Sequence, residues 1–342
     1  MTDRLGTYRA VEALDGVFTL VDKQFTAPAA GHVRIAVEAC GICHSDEAGV
    51  HNLLGALPPG TPVVPGHEIV GRVDALGDGV TGWQVGDRVG VGFHAGPCLV
   101  CANCRRGDFV FCTDQPIAGV SVDGGYAEYM TTRASGLVAV PEGISAAEAA
   151  PLLCAGITVF NGLRKSAARP DALVAVQGIG GLGHLAIQYA AKLGLRVVAI
   201  ARGEAKRDLA LKLGADEYID STAVDPAQAL QELGGAQVVI ATGTSGAAIT
   251  ALLGGLALHG RLIIVGVTSD PVEITTSLIF NDQTIQGSLT GTPSQNEENL
   301  AFALAHDVRP MVETVPLEQA GAAYERMLSG DARFRMVLTT NH

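Results

Sequence analysis

The chain lacks what a nucleic-acid-binding or membrane protein requires. Its 342 residues carry 23 Lys plus Arg against 35 Asp plus Glu, a net charge of −12, and Arg105 and Arg106 are the only local basic pair beside its cysteine cluster. A polyanion would be repelled, so no nucleic acid partner is expected. No uninterrupted apolar run reaches the roughly 18 residues of a membrane helix, because Gly, Gln or a charge breaks the longest candidates; no membrane partner is expected. Met1 to Gly6 is polar and no apolar signal-like segment follows, so nothing routes the chain to an oxidising compartment, and the cytoplasm is the expected location. Aromatic residues are scarce at 5%, whereas 43 glycines and 48% hydrophobic residues suit a Val/Ile/Ala-rich α/β protein with many tight turns. There is no internal repeat. A chain of this length exceeds what one core accommodates, so two domains are expected.

Seven cysteines form an odd set, which argues against a disulfide framework. Four of them, Cys98-x2-Cys101-x2-Cys104-x7-Cys112, match a closed tetrahedral zinc site. Similar clusters occur in zinc ribbons that bind nucleic acid, a role the acidic charge opposes. Cys40, Cys43 and Cys154 remain, and the last two fall in segments that, with His67, supply a second metal site of different chemistry. Four thiolates leave no open position and hold structure; a Cys/His/Cys set leaves a fourth position for a substrate oxygen. Cys40 reads as a small buried hydrophobe.

The first third of the chain reads as short strands separated by Gly and Pro: Val33 to Ala39, Ile69 to Ala75 and Asp87 to Gly92. From about Ala146 the pattern becomes helical, and after Pro170 apolar strands alternate with helices. Ala172 to Gln177, Arg196 to Ile200, Gln237 to Ala241 and Arg261 to Val267 read as strands, and Leu182 to Leu193 and Glu204 to Leu213 as helices. Such βαβ alternation builds a doubly wound parallel sheet. Helices are expected again at Asn296 to His306 and Leu317 to Ser329, and a strand at Arg335 to Leu338.

The first crossover of that sheet carries Gly178-Ile179-Gly180-Gly181-Leu182-Gly183, directly after a buried strand and opening a helix. The first glycine turns the chain, the second admits a pyrophosphate close to the backbone, and the third packs helix on strand. The following strand ends in Ala201-Arg202-Gly203, without the acid that would bind the adenosine ribose of NAD. Arg202 instead suits a 2′-phosphate, with Lys206 and Arg207 adding positive potential, so NADP is favoured and NAD is left open.

Gly41-Ile-Cys43-His44-Ser45-Asp46, Pro65-Gly66-His67-Glu68, the four-cysteine lobe, Cys154-Ala-Gly-Ile-Thr158 and the glycine-rich turn occur together and in order. This arrangement resembles the zinc-dependent alcohol dehydrogenases of the medium-chain dehydrogenase/reductase family over essentially the whole chain. The resemblance implies a GroES-like catalytic domain of residues 1–153 and 290–342, with a structural zinc lobe at 94–113, and a Rossmann coenzyme domain of residues 154–289. Active site and coenzyme would meet in the cleft between them. It implies two zincs per chain: one catalytic on Cys43, His67 and Cys154, one structural on Cys98, Cys101, Cys104 and Cys112. Asp46 would fix the tautomer of His67, Glu68 would approach the metal during ligand exchange, and Ser45 would start a proton relay. Many relatives have a relay histidine where this chain has Ala48, so His51 is the candidate replacement. Coenzyme contacts are expected from His44, Thr158, Gly178, Gly180, Gly181, Leu182, Gly183, Arg202, Lys206, Val267 and Leu289.

Leu54, Leu57, Phe93 and His94 are the candidate walls of an apolar substrate pocket, which fits a primary alcohol or an aldehyde and does not exclude a secondary alcohol or ketone. A sugar or polyol would need more hydrogen-bonding partners, and a non-catalytic coenzyme-binding protein would be expected to have lost metal ligands. The remaining histidines, His32, His184, His259, His306 and His342, read as surface or packed residues. The resemblance also implies a homo-oligomer, a tetramer favoured over a dimer, formed by extending the coenzyme-domain sheet through strands such as Val272 to Phe280.

Overall fold

The computed structural model describes residues 6–268 and 270–340. The chain separates into two compact units, one of Met1–Cys154, Gly291–Ala305 and Arg309–His342, the other of Ala155–Thr290 and His306–Val308. The first unit begins with a hairpin, β1 (Thr7–Leu14) and β2 (Val17–Gln24), and continues through β3 (His32–Gly41), β4 (Glu68–Leu76), β5 (Arg88–Val91), β6 (Tyr129–Arg133) and β7 (Leu137–Ala139). Val33, Ile35, Val37, Ile69 and Val89 are buried in one core with Tyr126 and Ile42.

The second unit holds β8 (Leu173–Gln177), β9 (Arg196–Ala201), β10 (Glu217–Asp220), β11 (Ala236–Ala241), β12 (Leu256–Ile264) and β13 (Thr284–Gly287), all parallel in the order β10-β9-β8-β11-β12-β13. Strands covered on both faces read as continuous apolar runs, as Leu173-Val-Ala-Val and Val238-Val-Ile-Ala do. The order reverses between β8 and β11, the switch point at which doubly wound sheets take their ligands. The helix after β8 spans Gly183–Lys192, within the expected segment; that after β9 spans only Arg207–Lys212, because Glu204 to Lys206 form a turn.

The chain then returns to the first unit through the helix Pro293–His306, β14 (Val312–Pro316), the helix Ala320–Leu328 and β15 (Arg335–Thr339). β15 pairs with β14 and with β3, giving the order β14-β15-β3-β4-β5-β7, with β6 also on β3.

One expectation is overturned. Val272 to Phe280 is not a strand: 272–276 has no regular structure, Ser277–Asn281 is a short helix ended by Asp282 in the left-handed region, and β13 is the outer strand of the sheet. Of the apolar residues that suggested a strand, Val272 packs on the core, while Ile274, Ile279 and Phe280 are exposed. The helical stretch Ala146–Ser166 is also long and apolar enough, by length and composition, to cross a membrane, although 78% of its apolar window is buried inside the protein.

Candidate functional site

In the first unit Cys43 ends the extended stretch after β3 and opens the 3₁₀ turn His44–Asp46. His67 immediately precedes β4, whose first residue is Glu68. Cys154 lies in a π-helical turn, Leu152–Gly156, that follows Pro151. Such π-turns are frequent at functional sites; here the buried Asn299 amide donates to Leu152 O at 3.0 Å and ties the turn. One ligand atom each from Cys43, His67, Glu68 and Cys154 lies within 4.8 Å of the others. His67 Nε2 and Glu68 Oε2 are buried with no hydrogen-bond partner. Two sulfurs, an imidazole nitrogen and a carboxylate converging with unsatisfied atoms are the donor set of a divalent cation such as zinc.

The electrostatics agree with that reading. Contact with Cys154, its Sγ 4.0 Å away, holds Cys43 well below the ordinary thiol range against the opposing effect of burial, and the same contact pushes Cys154 well above it. Burial works against charge on His67, but Asp46 and Cys43 outweigh it and raise its pKa well above the ordinary value. Asp46 Oδ1 lies 2.7 Å from His67 Nδ1, and Asp46 Oδ2 accepts from Cys43 N at 2.9 Å and from Tyr126 Oη at 2.8 Å. Burial raises Glu68 to about 7 although Arg335 Nη2 donates to its Oε1.

The Sγ atoms of Cys98, Cys101, Cys104 and Cys112 also lie within 4.8 Å of one another. The backbone N–H groups of Cys104 and Thr113 lower Cys101 to about 5, while burial raises Cys104 to about 12. Four converging sulfurs, with the N–H groups of Cys98, Cys101 and Cys104 aimed at them, fit a closed zinc site.

In the second unit, Gly178 adopts φ +89°, which a side chain disfavours. A Cβ on Gly183 would lie 1.8 Å from Gly178 O, whereas one on Gly180 would meet no protein atom within 4 Å. The turn is therefore closed where helix meets strand and open where a pyrophosphate would approach. His184, buried, places Nδ1 2.8 Å from Gly180 O, and Lys206 Nζ donates to Ile179 O at 2.7 Å, so the ammonium sits on the turn itself. Arg202 is exposed at the end of β9. Arg207 pairs with Glu204 and lies over the Tyr218 ring. Asp220 accepts from Gly203 N at 2.7 Å and fixes the turn that follows Arg202.

The other sequence-derived candidates are dispersed. Ser45 and His44 are exposed, His44 Nε2 lying 3.5 Å from Glu47. His51 is exposed with its ring beside Gly16. Phe93 presents an edge-to-face contact to His67, centroids 5.2 Å apart, and His94 behind it is buried. Leu54 is largely exposed and Leu57 partly buried, the loop tied by two Asn52–Leu57 hydrogen bonds. Thr158 is buried, while Val267 and Leu289 are exposed. His32 contacts Ala30 O, His259 pairs with Asp282, and His306 is exposed; His342 lies outside the described residues. Tyr126, Arg335, Asn299 and Asp220 were not singled out from the sequence. Only Arg335, a charge opening an apolar strand, carried a local signal.

The model of the alcohol dehydrogenase GroES-like domain matches residues 29–142, and that of the zinc-binding dehydrogenases matches residues 181–306. The chain is similar to alcohol dehydrogenase patD of Penicillium expansum, 43% identical and covering 94% of each chain. It is 35% identical to aldehyde reductase AdhA of Synechocystis sp. over 97% of this chain and 98% of that one. The structure of CAD from Helicobacter pylori complexed with NADP(H) matches with a TM-score of 0.85 at 27% identity, covering 98% of this chain and 99% of that one. A metal-binding dehydrogenase with a GroES-like unit and a Rossmann unit is the class so defined. The chain belongs to the zinc-type alcohol dehydrogenases of the medium-chain dehydrogenase/reductase family, and it is an NAD(P)-dependent alcohol/aldehyde oxidoreductase.

Proposed function

We propose that this oxidoreductase holds two zincs per chain, prefers NADP to NAD, and acts on primary alcohols and their aldehydes as a cytoplasmic homo-oligomer, a tetramer rather than a dimer. The observation that carries the reading is the buried convergence of Cys43, His67 and Cys154 with an unpartnered His67 Nε2, in the chain that also carries the open turn at Gly180. Cys43, His67 and Cys154 would hold the catalytic zinc, and Cys98, Cys101, Cys104 and Cys112 the structural one. Bound there, zinc supplies Lewis acidity toward a substrate oxygen, and the nicotinamide supplies hydride chemistry.

The protein's own groups do the rest. Asp46 fixes the tautomer and orientation of His67. Glu68 lies within reach of the metal position and balances its charge with Arg335. The Ser45 hydroxyl binds the reacting oxygen and passes its proton toward solvent; Ala48 offers no ring, so exposed His51 receives it. Phe93, which packs on His67, walls the substrate with Leu54, Leu57 and His94. His44 and the Gly178 to Gly183 turn, including Gly181 and Leu182, bind the pyrophosphate with Lys206; Thr158, Val267 and Leu289 flank the nicotinamide half. Arg202 reads the 2′-phosphate, supported by the missing acid at Ala201 and the fixed turn at Gly203.

Two measurements test this. Metal analysis of the purified protein should give two zincs, and Cys154→Ser should lose one zinc and turnover while coenzyme binding persists. For coenzyme choice, kcat/KM with NADPH should exceed that with NADH, and Arg202→Ala should lower the NADPH value about tenfold while sparing NADH. An NADH preference would refute the role given to Arg202 and leave the zinc chemistry standing.

A further inference from the structure

Tyr126 stands in no motif associated with metal or coenzyme, yet its side chain is sealed from solvent and its hydroxyl donates to Asp46 Oδ2 at 2.8 Å. Cys43 N donates to that same oxygen at 2.9 Å, and the other oxygen of Asp46 faces His67 Nδ1 at 2.7 Å. Two donors on one side fix the plane of the carboxylate, and the imidazole on the other side reads that plane. The Tyr126 ring is also pressed against the residue before His67: a Cβ on Gly66 would meet two ring carbons at 2.4 and 2.7 Å. The backbone repeats the attachment, with Tyr126 N donating to Pro65 O at 2.9 Å, Gly125 N to Gly66 O at 3.0 Å and Gly124 N to Val64 O at 2.7 Å.

We propose that Tyr126 is a positioning residue for the metal ligand His67, acting through Asp46; the proposal rests on the assignment of Cys43, His67 and Cys154 to the catalytic zinc. A buried carboxylate that loses one of its donors is freer to rotate and holds the imidazole less firmly. Loss of a group that bonds a ligand directly weakens metal binding about 10- to 100-fold. Tyr126 stands one link further out, so the low end of that range, about tenfold, is expected from removing its hydroxyl alone.

The test uses the full-length zinc-loaded protein and Tyr126→Phe, which retains the ring and so its packing on Gly66. Zinc release to a chromophoric chelator is followed, with the four-cysteine site as internal reference. Tyr126→Phe should release the Cys43/His67/Cys154 zinc about tenfold faster and leave the reference phase unchanged. The absorption bands of Co²⁺ substituted at that site should shift. In an Asp46→Ala background the substitution should have no further effect on release. A wild-type protein with a single zinc would overturn the metal assignment and this proposal with it. A wild-type protein with two zincs whose Tyr126→Phe variant releases both at wild-type rates would overturn the proposal alone. So would a tenfold effect persisting in the Asp46→Ala background, since Tyr126 would then act through packing.

Discussion

Arg335 on β15 reaches across β3 to donate a hydrogen bond to Glu68 at the start of β4, and both side chains are buried. Residues 335 and 68 are brought together because Val337 pairs with Gly41 and Gly41 pairs with Glu68. A guanidinium from the last strand thus closes the polar cluster built by the first third of the chain.

Removing only one partner leaves a buried charge without compensation. Arg335→Leu should lower stability by about 3–5 kcal/mol, read as a fall in the urea midpoint. Arg335→Leu combined with Glu68→Leu should recover most of that loss, because neither charge then remains buried alone.

The two glycines of the coenzyme turn should fail in opposite ways. Gly183→Ala forces a methyl against Gly178 O and should cost about 3 kcal/mol or more of stability. Gly180→Ala meets no protein atom, so thermal unfolding should change by less than about 1 kcal/mol. Its coenzyme dissociation constant, measured by calorimetry, should nevertheless rise about tenfold, because the methyl occupies the space a pyrophosphate approaches.

Asn299→Ala removes a side-chain donor to Leu152 O in the π-turn carrying Cys154. Losing one such buried hydrogen bond costs about 0.5–1.5 kcal/mol. Because Cys154 lies in the same turn, loss of one zinc on gel filtration in chelator should accompany the drop in melting temperature.

His94 gives the stability a pH dependence. Burial, with a smaller contribution from His67, lowers its pKa from 6.5 to about 4, so between those values the unfolded chain binds more protons than the folded one. Stability conferred by keeping this ring neutral is present above pH 6.5 and lost as pH falls toward 4. Between pH 6.5 and 5 the wild type should lose about 2 kcal/mol that His94→Gln does not lose, measured as the difference in urea unfolding free energies at the two values.

What could be read directly from the sequence was local. Gly178 to Gly183 follows a Val-rich strand and opens a helix, and the three glycine roles appear as a positive φ, an open face and a 1.8 Å approach. The four-cysteine lobe is equally local: Cys98, Cys101, Cys104 and Cys112 fall within fifteen residues and their Sγ atoms converge. The β1–β2 hairpin escaped because β2 exposes both faces along much of its length and so shows no alternation. Val272 to Phe280 misled because Ile274, Ile279 and Phe280 are exposed, and apolar spacing reports a strand only when one face is buried. Tyr126 and Asn299 were invisible for another reason: each meets its partner across 80 or 147 residues of chain, and nothing in the residues nearby marks a long-range hydrogen bond.

The placement of β15 sets an order of events on the ribosome. Cys43 and His67 are synthesised early, but the arginine that balances Glu68 is encoded at residue 335, after the entire parallel sheet of the second unit. All of the second unit but His306–Val308 lies in one stretch, Ala155 to Thr290, and can fold while synthesis proceeds, whereas the first must wait for its last strands. Nascent chains arrested before Arg335 therefore carry Cys43, His67 and Glu68 without the guanidinium that pairs with Glu68.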